Sequence, residues 1–115
     1  MSEFIGEVQL RNLRRVYREE ENYRVDGIGT RQQIYSKQIK SDVAEYLCSK
    51  LIGHQVTSAE AADVLRAVVE QFNLPYNYGH NLSYYAQEVL VVLVALGKAG
   101  VQKEGRGYLY TIWHC

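Results

Sequence analysis

The chain has 115 residues, enough for one core; 47% are hydrophobic and 23% charged, which excludes an intrinsically disordered chain. Thirteen Lys/Arg against thirteen Asp/Glu give no net charge, which argues against indiscriminate nucleic-acid binding. The charge is uneven, with eight Lys/Arg and six Asp/Glu in residues 1–40.

In the N-terminal third, Leu10, Leu13 and Tyr17 have helical spacing, with Arg11, Arg14, Arg15 and Arg18 on other faces. The same stretch also reads as a hairpin, "RVYR" against "YRV" across "EEEN". Periodicity over so few residues supports both. "DGIGT", Asp26 to Thr30, is a break. "MSEFIGEVQL" has no basic segment followed by an apolar core, so no signal peptide is expected, and a cytoplasmic chain is.

From Ser36 the pattern turns helical. Ile39, Val43, Leu47 and Leu51 recur every fourth residue, and Gly53 suits the left-handed position after a helix. Thr57 to Glu60, "TSAE", is a capping box opening a second helix with Ala61, Val64, Leu65, Val68 and Phe72 on one side. Asn73 and Pro75 stop it. A tyrosine-rich connection follows, and Asn81 or Ser83 is expected to cap a third helix that ends "VLVVLVAL", apolar all round and therefore buried, with Gly100 after it.

The last fifteen residues read as a ribbon. Val101–Lys103 and Tyr108–Trp113 are strand-like, joined by Glu104–Gly107. Tyr108, Tyr110 and Ile112 share one face of the second strand, and Leu109, Thr111 and Trp113 the other. The expected core is Val43, Leu47, Leu51, Val64, Leu65, Val68, Val89, Leu93, Leu96, Leu109 and Trp113.

In order, residues 36–115 read helix, short "HQV" segment, capped helix, turn, helix, glycine and hairpin. "VTSAEAADVL" and "VLVVLVALGKAGVQKEGRGYLYTIW" resemble the second helix and the third-helix-to-wing segment of the winged helix-turn-helix superfamily. The resemblance implies an α+β winged helix with three helices and a C-terminal β-hairpin wing. It covers a domain at 36–115, behind an N-terminal extension at 1–35.

It also implies double-stranded DNA as the partner, in a transcriptional regulator that pairs as a homodimer on a palindromic site. Carried over residue by residue, the contacts are Tyr78, His80, Asn81, Ser83, Tyr84 and Gln87, with Lys103 and Arg106 at the wing tip. Arg14 and Arg15 are candidate phosphate contacts from the N-terminal run. This sequence departs from the pattern twice. The third helix has no Lys or Arg before Lys98, and the connection Asn73–His80 is long. The neutral net charge, the missing Lys/Arg at the front of the third helix and the tyrosines Tyr76, Tyr78, Tyr84 and Tyr85 suit a second reading, a protein-binding module such as an adaptor or an inhibitor of a larger complex.

No enzyme is expected, because no nucleophile and base can be placed together and "GIG" at Gly27–Gly29 lacks the lysine of a phosphate loop. No cofactor, metal or membrane partner is expected. His54 reads as a surface or capping residue, and His114 beside Cys115 lacks a second pair at ligand spacing. Two cysteines make no disulfide framework, so Cys48 reads as a small buried hydrophobe.

Overall fold

The structure, a computed structural model, describes residues 2–29, 31–74 and 79–115, with the side chains of 79–81 left aside. Four strands come first: β1 (Ser2–Gln9), β2 (Leu13–Glu19), β3 (Asn22–Ile28) and β4 (Ile34–Ile39). They form one antiparallel sheet in the order β1-β2-β3-β4. Then come α1 (Ser41–Leu51), β5 (Gln55–Val56), α2 (Ser58–Arg66), α3 (Val69–Phe72), α4 (Gly79–Ala95), β6 (Ala99–Glu104) and β7 (Gly107–Ile112). The second sheet has the order β5-β7-β6.

This overturns the expected winged helix with three helices behind an N-terminal extension. Among the described residues there are two sheets and four helices, and the run 1–35 supplies most of the first sheet. The strands alternate between a buried and an outer face. Arg14 and Val16 alternate inward against Arg15 and Tyr17, and Tyr23, Val25 and Gly27 do the same on β3. Of the two readings of this region, the hairpin is the one formed, turning at Glu20 and Glu21 with Glu20 at φ 58°. Its outer face is tied by polar contacts. Arg24 pairs with Glu19 at 2.6 Å and Asp26 at 3.0 Å, and its guanidinium lies 4.4 Å from the centre of the Tyr17 ring.

Helix boundaries shift for identifiable reasons. Ile39 is the last residue of β4, so the first helical stripe begins at Val43. The expected second helix breaks at Ala67 and Val68 into α2 and a single-turn α3, which ends at Asn73 in the left-handed conformation. α4 begins at Gly79, ahead of the expected caps, so Ser83 lies inside it. Its end is marked by Gly97 at φ +77°, while Gly100 belongs to β6.

α4 is the axis of the molecule. Val89 to Leu93 are all at most 1% exposed, and the helix packs against all four strands of the first sheet, α1, α2 and β6. That explains a helix apolar all round. Among the described residues no helix is long and apolar enough to cross a membrane.

The ribbon turns its other face inward from the one expected. Tyr110 and Ile112 are fully buried, Leu109 is half-buried, and Trp113 is 58% exposed. The Trp113 ring lies over Gly100, where any Cβ would meet it. Val64 and Leu96 are also only half-buried. Cys48 is buried as expected, but it is bonded to Cys115 across 67 residues, which the cysteine count did not suggest.

Candidate functional site

A polar cleft of about 380 Å³ opens where five segments meet. The β1–β2 connection brings Leu10, Arg11 and Asn12, and β2 brings Arg14. Ser58 comes from the first turn of α2, and Tyr84 and Gln87 from the front half of α4. The second hairpin closes it with Arg106, Gly107, Tyr108 and Tyr110. None of these lining residues is acidic.

The floor is built on a buried ion pair. Arg14 Nε donates to Glu88 Oε1 at 2.9 Å and to Oε2 at 3.3 Å, and both side chains are nearly closed to solvent. Arg14 Nη1 donates to the Asn12 carbonyl at 2.8 Å, which fixes the connection carrying Arg11. The Tyr35 ring lies 5.7 Å from the Arg14 guanidinium and covers Gly27, where a side chain would collide with it. Burial pulls the Arg14 pKa down, but the hydrogen bond and charge of Glu88 outweigh it, so the net shift is upward.

Beside this pair, the Tyr110 hydroxyl is buried with no hydrogen-bond partner. Burial pushes its pKa well up, reinforced by the Glu88 charge and opposed by Arg14. The hydroxyl is therefore a neutral donor. At the rim, Arg11 and Arg106 are exposed and make no ion pair with a described residue. The lining thus carries two uncompensated positive charges over a neutralised floor, with Asn12, Ser58, Gln87 and the tyrosines as uncharged hydrogen-bonding groups.

The sequence-derived residues divide accordingly. Tyr84, Gln87, Arg106 and Arg14 come together in the cleft. Lys103 is exposed on β6 and Ser83 half-buried on α4, and neither lines it. Arg15, adjacent to Arg14 on a strand, faces the opposite side and pairs with Glu7 at 3.2 Å. Tyr78, with the side chains of His80 and Asn81, lies outside the described residues, as does Tyr76. Of the other two tyrosines, Tyr84 is 61% exposed, whereas Tyr85 is buried.

Sequence reasoning missed Asn12, Ser58, Tyr108, Tyr110 and Glu88. Strand alternation does put Tyr108 and Tyr110 on one face, but nothing local marks that face as inward. The Arg14–Glu88 pair spans 74 residues and has no local signal.

A second cavity of about 400 Å³ is lined mainly by β4 with Asn22, Asn73, Leu74 and Tyr85. Among the described residues no three His, Cys, Asp or Glu gather to hold a metal ion. His54 and His114 are both exposed. No known protein family, characterised protein or solved structure matches the chain.

Proposed function

We propose that the chain is a DNA-binding module of regulatory function, whose cleft receives the phosphate backbone of a duplex. The observation that carries this reading is the convergence of Arg11 and Arg14 with Arg106, from two distant parts of the sequence, on one cleft without a carboxylate in its lining. Exposed arginines at the rim attract phosphate, and the uncharged floor costs little to desolvate because Glu88 already neutralises Arg14. Gln87 and Tyr84 on the front of α4 supply hydrogen-bonding and stacking groups beside those cations. One cleft of this size makes a small interface, so pairing of two copies on a palindromic site belongs to the same reading. So does a cytoplasmic location.

A salt titration of the chain on duplex DNA tests it. Affinity should fall steeply with salt, and Arg106→Ala should lower the slope by about one. Absence of binding to mixed genomic fragments at low salt would end the proposal. The 61% exposure of Tyr84 supports a second reading, a protein partner held through this tyrosine. Salt-insensitive capture of one protein, lost in Tyr84→Ala, together with no binding of DNA, would select it.

A further inference from the structure

One polar group in the core is unexplained by folding alone. Tyr110 is fully buried, yet its hydroxyl has no partner. Leaving such a group unsatisfied destabilises a protein, and a phenylalanine there would avoid the cost. Tyr110 also lines the one cleft where unpaired arginines gather among the described residues. Arg14 is locked by Glu88 and the Asn12 carbonyl, so it forms a rigid floor whose charge is already neutralised. Arg11, before β2, and Arg106, in the β6–β7 turn, both line it, and Ser58 adds the first turn of α2.

We propose that this cleft is a built site for one phosphate ester, gripped by Arg11 and Arg106 and satisfied at its floor by the Tyr110 hydroxyl. The hydroxyl donates to a phosphate oxygen, directly or through one bound water. The cleft volume falls in the small-ligand range, so it takes the phosphate with part of the group that carries it. The chemistry is shared by a backbone phosphate and a free phosphorylated small molecule. In the first case the inference rests on the DNA reading and names its anchoring contact. In the second it stands without that reading.

The test uses the full isotopically labelled chain, titrated with inorganic phosphate at constant ionic strength and, separately, with a short DNA duplex. Phosphate should give saturable amide shifts in residues 11, 58, 84 and 106. Tyr110→Phe should weaken phosphate binding on the order of tenfold while leaving the ligand-free protein as stable or more so. Arg106→Ala, at an exposed position, should weaken it comparably and serves if the tyrosine variant does not fold.

Unsaturable shifts, or unchanged phosphate affinity in Tyr110→Phe, overturn the proposal. With Arg106→Ala as the only usable variant, unchanged affinity does the same. Tyr110-dependent phosphate binding without duplex binding supports the site and removes the DNA reading. Duplex binding that ignores Tyr110, with no phosphate binding, removes the site and leaves the DNA reading intact.

Discussion

At the scale of single residues, Arg14 and Glu88 dominate the physics of the cleft. Each would be costly to bury alone, and together they neutralise one another with two hydrogen bonds. Removing one partner leaves the other charge stranded. Glu88→Gln should therefore lower stability by about 3 kcal/mol, and urea unfolding would measure it. The double variant Arg14→Met with Glu88→Leu should recover most of that loss, because the desolvation cost disappears with the charges. A single variant as stable as the wild type would mean that the pair is not closed to solvent as described. The neighbouring arginine shows why residue type alone was insufficient. Arg14 and Arg15 are equivalent as letters, yet one forms the floor of the cleft and the other pairs with Glu7 on the far face.

At the scale of elements, the locally encoded features are those whose partners lie within one turn. The capping box is one. The Glu60 amide donates to Thr57 Oγ1 at 3.2 Å, and the Thr57 amide donates to Glu60 Oε1 at 2.9 Å. Thr57→Ala should cost about 1 kcal/mol, read as a lowered urea midpoint with unchanged slope. A loss within error of zero would show that packing of Leu65 and Ala61 holds α2 without its cap. The β6–β7 turn is another such feature, with Gly105 at φ +60° where the hairpin demands a left-handed residue. By contrast, the inward face of β7 depends on what lies beneath it. Both of its alternating faces are apolar enough to be buried, and the folded molecule buries Tyr110 and Ile112 rather than Leu109 and Trp113.

At the scale of the whole molecule, one link joins the chain end to the first helix. Cys48 on α1 is bonded to Cys115, closing a loop of 67 residues that contains β5 to β7 and α2 to α4. Loop-closure entropy makes such a link worth about 4 kcal/mol, through the unfolded chain it constrains. Cys115→Ser should lower stability by about 2–4 kcal/mol under oxidising conditions and by nearly nothing in excess reductant. Equal stability of both proteins without reductant would mean that the bond does not form in solution.

The sequence by itself determined the elements whose signals are short in range. Those are the N-terminal hairpin as one of two readings, the α1 stripe from Val43, the cap at Thr57, the buried run from Val89 and the glycine turn at Gly105. Each follows from steric or hydrogen-bonding demands met within about one helical turn or one strand pair. Only the tertiary structure decided the four-stranded sheet that replaces the expected extension, the face that β7 buries and the gathering of Arg11, Arg14, Ser58, Gln87, Arg106 and Tyr110 into one cleft. The sheet depends on packing its inner face against α4, and the other two on contacts across tens of residues. There, burial of a shared core overrides local preference, and a charge such as Arg14 is tolerated only because Glu88, 74 residues away, arrives beside it.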